Sequence, residues 1–246
     1  MKSNNETAAV IAVKPETADI KTIVLRLAPG SALCGWSPGQ FVTVSLREGV
    51  GWTKSQPFTV SNAPGSHMLR ITVKRAGSIT GMIHALHPGE EVRLAGPFGT
   101  FCGNIGRSKG VVMIAGGIGI TPFLSVLRHS IRILNNLNKT TLFWGCSDPG
   151  DFFSLGEIDV FNFFMDFTAV IVSERPFQPK HLKKHRITSL RFEEGLLDAG
   201  LFQRHADFRG MDVFVCGSNA MQEFVLGQLQ QCGVEREKIE IEKFGA

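Results

Sequence analysis

Cysteine is scarce in this chain and poorly placed for covalent or metal-based architecture. The five residues Cys34, Cys102, Cys146, Cys216 and Cys232 are odd in number, far apart and without a CxxC pair. That excludes a disulfide framework, a zinc site and an appended iron–sulfur cluster, and it suits a reducing compartment. A strong charge of one sign is also missing. A net +4 with a pI near 8.9 lacks the clustered footprint of a nucleic-acid binder. The opening MKSNNETAAVIAV has no basic start and no sustained apolar core, so no secretory signal is read and a cytoplasmic protein is expected. One uncharged stretch, Gly110 to Leu127, reaches eighteen residues and raises the question of a membrane span, but four glycines and Pro122 break it. Nucleophile–base arrangements and paired carboxylates are absent as well, which argues against a hydrolase. His181 and His185 have no plausible metal partner nearby, and no metal site is assigned.

What is present is apolar sequence in two different rhythms. With 246 residues, 43% of them apolar, the chain can fill two cores of ordinary size. From Ala8 to Leu94 short segments rich in β-branched and aromatic residues alternate with turn signals. Ala8–Val13, Ile20–Leu27, Gln40–Leu46, Phe58–Val60, Leu69–Lys74 and Glu91–Leu94 read as strands. Pro29-Gly30, Pro38-Gly39, Pro64-Gly65 and Pro88-Gly89 supply the turns. The pattern predicts an antiparallel six-stranded β-barrel over 1–105. Within it, Gly77-Ser78-Ile79-Thr80-Gly81 precedes a helical patch, Met82–Leu86, and forms a helix start able to hold a phosphate.

Past Gly106–Lys109 the rhythm becomes that of an α/β domain with a parallel sheet, spanning 106–246. Val111–Ala115, Thr141–Trp144, Ala169–Val172, Asp212–Val215 and Ile239–Ile241 read as buried strands. Phe123–Leu134, Leu155–Phe164 and Ala220–Gln230 read as helices, the first with Ser125, Arg128, His129 and Arg132 between its apolar positions. At the head of this half a strand runs into Gly116, Gly117 and Gly119, then into Thr121-Pro122, a helix start with a hydroxyl to cap and a proline in its first turn. Such a turn offers unpaired amides and the positive end of a helix dipole to a phosphate. It is not the dinucleotide fingerprint of the Rossmann fold, because Pro122 occupies the third glycine position. Phe152, Phe153, Phe161, Phe163, Phe164 and Phe167 are expected in the core rather than on a docking face, and the run Lys180–Arg186 is expected to be a solvated loop.

Several motifs fall in one order along nearly the whole chain. They are Gly39-Gln40-Phe41, Gln56-Pro57-Phe58-Thr59-Val60-Ser61, Gly77-Ser78-Ile79-Thr80, Gly96-Pro97-Phe98-Gly99, Gly116 through Pro122, Cys216-Gly217-Ser218 and Glu242-Lys243-Phe244. In this the chain resembles the ferredoxin–NADP reductase superfamily of flavin-dependent reductases. The resemblance implies that Gln56, Pro57, Phe58 and Thr59 contact a flavin, with the Thr59 hydroxyl near its N5. It implies that Gly77, Ser78 and Thr80 hold the flavin phosphates, and that Gly116, Gly117, Gly119 and Thr121 form the pyrophosphate turn of a nicotinamide dinucleotide. Cys216 and Gly217 would lie beside the nicotinamide. Glu242 and Phe244 would cover the flavin face, with Phe244 moving aside as a gate. Thr59, Cys216, Glu242 and Phe244 are thus the expected catalytic residues.

Three departures from the family pattern matter. Gln56 stands where an arginine usually neutralises flavin phosphate, an order closer to the His-Pro-Phe-Thr type of ferric reductases and NADPH oxidases. Lys54, Lys74 and Arg75 are the candidate replacements, and FAD is expected with FMN as the alternative. Ser147 follows Gly145-Cys146 where many members carry an arginine. Ser173 and Arg175 resemble the pair that grips a 2′-phosphate, yet Glu174 takes the arginine's usual place, leaving NADH and NADPH both open. The implied activity is hydride transfer from NAD(P)H to flavin, followed by electron release to a separate acceptor such as a ferredoxin, flavodoxin, oxygenase component or ferric complex. The alternatives are a flavin reductase that treats flavin as a substrate and a non-catalytic flavin-binding subunit or sensor.

Overall fold

The computed structural model describes residues 5–105, 110–133, 138–178 and 190–242. The chain divides into two compact units, one of Met1–Gly103 with Thr121–His129, the other of Asn104–Ile120 with Ser130–Ala246.

The first unit is an antiparallel barrel. Its strands are β1 (Glu6–Pro15), β2 (Ile20–Arg26), β3 (Phe41–Glu48), β4 (Gly51–Trp52), β5 (Gln56–Thr59), β6 (Met68–Lys74) and β7 (Glu91–Phe98). The order β4-β3-β7-β1-β2-β6, with β5 also paired to β3, returns on itself where Val60 bridges Ile71. Alternation explains the closure, because Val42, Val44 and Leu46 of β3, Leu69, Ile71 and Val73 of β6, and Val92 and Leu94 of β7 point into one core. Thr22, Thr72 and Ser61 form a buried hydroxyl chain across the wall, with steps of 3.0 and 3.1 Å. β4 was not expected from the sequence. It is a two-residue hairpin arm on β3, too short to show alternation, with Trp52 covered by Arg47 and Arg93, each 4.4 Å from its ring. Helix α1 (Ser78–His84) follows β6.

The second unit is a parallel sheet of β8 (Gly110–Gly116), β9 (Lys139–Cys146), β10 (Phe167–Ser173), β11 (Leu190–Glu194), β12 (Met211–Cys216) and β13 (Ile239–Ile241), in the order β11-β10-β9-β8-β12-β13. Four of the five strand expectations for this half extend outwards by one to two residues at each end, and the fifth is unchanged. The helices of this unit are α3 (Leu155–Val160), α4 (Ala199–His205) and α5 (Asn219–Gln231), while α2 (Thr121–Arg132), which follows β8, groups with the first unit over Thr121–His129. β11 and α4 were not anticipated. LRFEE is a short, charged edge strand, and α4 is two turns long with Gly200 inside it, so neither carries a long period. Asp198, which caps α4 by accepting from the Leu201 amide at 2.8 Å, was the readable signal.

Three expectations change. Ser125 is not on a solvent face, being fully buried with its hydroxyl donating to the Asn62 carbonyl at 2.9 Å. The helix expected to reach Phe164 stops at Val160 and tightens into a 3-10 turn over Phe161–Phe163. That turn leaves Phe163 73% and Phe164 47% exposed, while Phe152, Phe153, Phe161 and Phe167 are buried, the first two edge-on against Trp144. Leu134 and the run Lys180–Arg186 lie outside the described residues. Among the described residues no helix is long and apolar enough to cross a membrane.

Candidate functional site

In the barrel, β5 lies antiparallel to β3, with Thr59 opposite Phe41 and Phe58 opposite Val42. Phe58 is half-buried and packs against the barrel core, so the same ring serves the core and offers a remaining face. Thr59 is 6% exposed, and its hydroxyl makes no hydrogen bond among the described residues. Gln56 is half-buried and Pro57 exposed on the same strand.

The motif beside them explains itself through hydrogen bonds. Gln40 accepts from the Ser37 amide at 2.7 Å and donates to the Gly99 carbonyl at 2.9 Å, tying the start of β3 to the turn that follows β7. Gly39 has φ +88°, and a Cβ there would collide with the Phe101 carbonyl. The rings of Phe41 and Phe98 meet at 5.7 Å. Two of the sequence motifs are thus one structural joint.

At the start of α1, the Thr80 hydroxyl accepts from the Ala76 and Gly77 amides, each at 2.9 Å, and donates to the Gly77 carbonyl at 3.0 Å. It shapes the loop rather than reaching out from it. Ser78 is exposed beside it, and the amides of the helix's first turn have no acceptor within the helix. Of the three cations considered as replacements for the missing arginine, Arg75 pairs with Asp19 at 2.8 Å, while Lys54 is exposed with no carboxylate partner among the described residues.

The second unit brings its own motifs together. β8, β9, β10 and β11 follow one another across the sheet in one direction, and β12 then lies on the other side of β8. The order reverses between β8 and β12, and in open parallel sheets ligands bind at the carboxyl ends of strands at such a reversal. There the 3-10 turn Gly117–Ile120 rests on the peptide between Cys216 and Gly217. A Cβ on Gly119 would collide with the Cys216 carbonyl and stand 2.9 Å from the Gly217 nitrogen. Gly217 is equally confined, since a Cβ there would stand 3.3 Å from the Gly116 backbone and 2.8 Å from the Met221 sulfur. Gly117, at φ +53°, has open space where a side chain would stand. Trp144 donates to its carbonyl from Nε1 at 2.8 Å. Thr121, buried, begins α2 directly after the turn.

One residue that sequence reasoning missed holds this corner. Gln222, buried in the first turns of α5, donates from Nε2 to the Gly217 carbonyl at 2.8 Å and to the Glu242 carbonyl at 2.7 Å. Its readable signal was a polar residue on the inner face of α5, just after the Ser218 cap that accepts from the Met221 amide at 3.3 Å. Glu242 is joined to β12 as well, its amide donating to the Val215 carbonyl at 3.0 Å. Burial, with a contribution from the Glu240 charge, raises its carboxyl pKa to about 7. Cys216 is fully buried, and burial together with the Glu242 charge pushes its thiol well up, so it is a neutral group there. Phe244 lies outside the described residues.

The edge continues over β9 and β10. Ser173 is fully buried with no partner for its hydroxyl among the described residues, Arg175 pairs with Asp148 at 2.9 Å, and the Ser147 hydroxyl donates to Glu174 at 2.7 Å.

Comparison with known proteins agrees with both units. Residues 7–102 match the oxidoreductase FAD-binding domain family and residues 113–226 the oxidoreductase NAD-binding domain family. The reductase component of propane 2-monooxygenase from Rhodococcus jostii is 27% identical over 238 residues, covering 96% of this chain and 62% of that protein. The flavohemoprotein of Bacillus subtilis is 25% identical over 240 residues, covering 96% of this chain and 58% of that one. The chain therefore spans less than two thirds of the length of these curated relatives. Among solved structures, the FAD/NAD-binding domain of nitric oxide dioxygenase from Vibrio cholerae superposes with a TM-score of 0.81 at 21% identity, covering 98% of both chains. A ferredoxin NADP+ reductase from Neisseria gonorrhoeae superposes with a TM-score of 0.78 at 18% identity, covering 98% of this chain and 99% of that one. The chain carries the oxidoreductase FAD-binding and NAD-binding domains in that order, and its fold is that of the ferredoxin NADP+ reductase. Its cofactors are FAD and a nicotinamide dinucleotide.

The residues present fit both groups. The unpartnered Thr59 hydroxyl and the remaining face of Phe58 suit an aromatic heterocycle with a hydrogen-bonding edge, and the open space at Gly117 beside the confined Gly119 suits a close-lying phosphate.

Proposed function

We propose that this chain is a flavin-dependent NAD(P)H oxidoreductase that passes electrons to a separate acceptor. The observation that carries the reading is the contact of the Gly117–Ile120 turn with the Cys216–Gly217 peptide where the strand order reverses, an arrangement that supports a dinucleotide site there. Bound FAD would supply a hydride acceptor and a store from which electrons leave one at a time.

The chain's own part is to hold, orient and exclude water. Phe58 offers an aromatic face, Thr59 a hydroxyl, and Gln56 and Pro57 the adjoining edge of β5. Gly77, Ser78 and the first-turn amides of α1 face the flavin phosphates, with Thr80 shaping their loop. Gly116, Gly117, Gly119 and Thr121 hold the dinucleotide's pyrophosphate, and Ser173 and Arg175 border its adenosine end. Cys216 and Gly217 flank the nicotinamide, Glu242 holds a proton close to neutrality, and Phe244 gates the flavin face. In this reading 1–105 is the flavin domain and 106–246 the nicotinamide domain. The acceptor is a partner protein, for which an oxygenase component has the support of the propane 2-monooxygenase relative. No disulfide joins any of the five cysteines, in keeping with a cytoplasmic setting.

The visible spectrum of the purified protein, followed under anaerobic addition of NADH and of NADPH, tests the proposal. A flavin spectrum that bleaches with either coenzyme supports it. Flavin that stays oxidised with both overturns it in favour of a binding subunit. Gln56, with Arg75 committed to Asp19, favours one further reading, a flavin reductase, which a colourless protein that turns over added flavin would establish.

A further inference from the structure

Beyond the activity itself, we propose that the corner formed by Ser147, Asp148, Glu174 and Arg175 selects NADH and rejects NADPH. The inference rests on the nucleotide site proposed above and adds which coenzyme that site takes.

The position follows from the sheet. A dinucleotide with its nicotinamide at the end of β12 and its pyrophosphate at the end of β8 has its adenosine half over the ends of β9 and β10. Those ends lie up to three strand spacings away, roughly 14 Å. Cys146 and Ser173 are register partners there, and the Glu174 amide donates to the Cys146 carbonyl at 3.2 Å, so the loops leave side by side.

In that place one of the two residues that could grip a 2′-phosphate is withdrawn and the other, though exposed, is engaged by a carboxylate. Ser173 is fully buried, its hydroxyl turned away from solvent. Arg175 is turned to Asp148 at 2.9 Å. Glu174 takes the exposed position instead, and Ser147 steadies it by donating to Oε1 at 2.7 Å, which leaves Oε2 to accept. A ribose diol brings hydroxyl donors to such a carboxylate. A 2′-phosphate brings only acceptors and close to two negative charges. A 2′-phosphate would stand against the exposed Glu174 carboxylate and would have to draw Arg175 away from Asp148.

The test measures binding of ADP-ribose and of its 2′-phosphorylated form by calorimetry, a readout independent of hydride transfer. It is paired with anaerobic bleaching by NADH and NADPH. The unphosphorylated ligand should bind about 100-fold more tightly. Glu174→Gln removes the charge and keeps the shape, so it should weaken that preference about tenfold, chiefly by tightening the phosphorylated ligand. Ser147→Ala should loosen ADP-ribose a few-fold, roughly the loss of one hydrogen bond's positioning, and leave the phosphorylated ligand unchanged. Equal binding of the two ligands, or preference for the phosphorylated one, overturns this inference and leaves the oxidoreductase standing. Binding of neither ligand, with no bleaching, overturns the nucleotide site and the inference together.

Discussion

Replacing Glu242 by glutamine should make the protein more stable relative to the parent as pH rises, and the size of the effect follows from where the carboxyl sits. Burial and the Glu240 charge raise its pKa from 4.5 to about 7 in the folded chain. Between those two values the folded state keeps a proton that the unfolded state has lost. Unfolding is therefore helped by each step up in pH, and the parent loses stability from about pH 4.5 to about pH 7. At 1.36 kcal/mol per unit the full shift corresponds to roughly 3 kcal/mol, an upper bound. The side chain is only partly buried, and solvent screening reduces this to about 1–2 kcal/mol. Glutamine carries no titrating proton and should not show the loss. Urea unfolding at pH 5, 6, 7 and 8, at matched flavin occupancy, measures it. The signal is tryptophan fluorescence, which is clean here because the chain has three Trp and no Tyr. The difference between variant and parent should grow with pH and level off above neutrality. A difference that stays flat, or that shrinks with pH, would refute the burial argument for Glu242.

Other consequences of the site can be checked separately. Thr59→Val should slow flavin bleaching by NAD(P)H about tenfold in stopped flow, the worth of roughly one hydrogen bond, while flavin stays bound. Gly119→Ala sets a Cβ against the Cys216 carbonyl and should cost about 1–3 kcal/mol in denaturant unfolding, with weakened binding of ADP-ribose. Gln222→Leu leaves the Gly217 and Glu242 carbonyls without their donor and should cost roughly 2 kcal/mol. Its pH profile should shift as Glu242 relaxes, which an effect on packing alone would not produce. Removal of Phe244 should tighten nicotinamide binding by titration; unchanged affinity would eliminate the gate.

The parts of the fold legible in the sequence were those with a local cause. The glycine turn after β8 could be placed because an apolar pentapeptide, clustered glycines and a Thr-Pro helix start act over adjacent residues. The barrel strands could be placed because alternation is a nearest-neighbour property. Gln222, Gln40 and Asn62 could not, since each owes its role to carbonyls brought near by the fold. Asn62, for instance, accepts from the Arg70 amide, donates to the Met68 carbonyl, and offers its own carbonyl to Trp36 and Ser125. Thr80 shows the converse. A hydroxyl at a helix start was legible in the sequence, but only the structure reveals that its bonds are spent inside the loop.

The anchoring of α2 bears on how such a chain could be taken apart. Residues Thr121–His129 group with the barrel although they follow β8 in sequence. Ser125 donates to the Asn62 carbonyl, Arg128 to the Ser61 carbonyl, and the rings of Phe101 and Phe123 meet at 5.8 Å. A fragment cut after residue 105 would lose all three: the Ser61 carbonyl would lose its Arg128 donor and the Asn62 carbonyl would keep only Trp36, at about 1–3 kcal/mol for a carbonyl left buried and unpaired. The unit that carries the FAD-binding match is contiguous in space but not in the gene. Recombination of such halves would have to carry the helix along, or supply a substitute that meets the same two carbonyls.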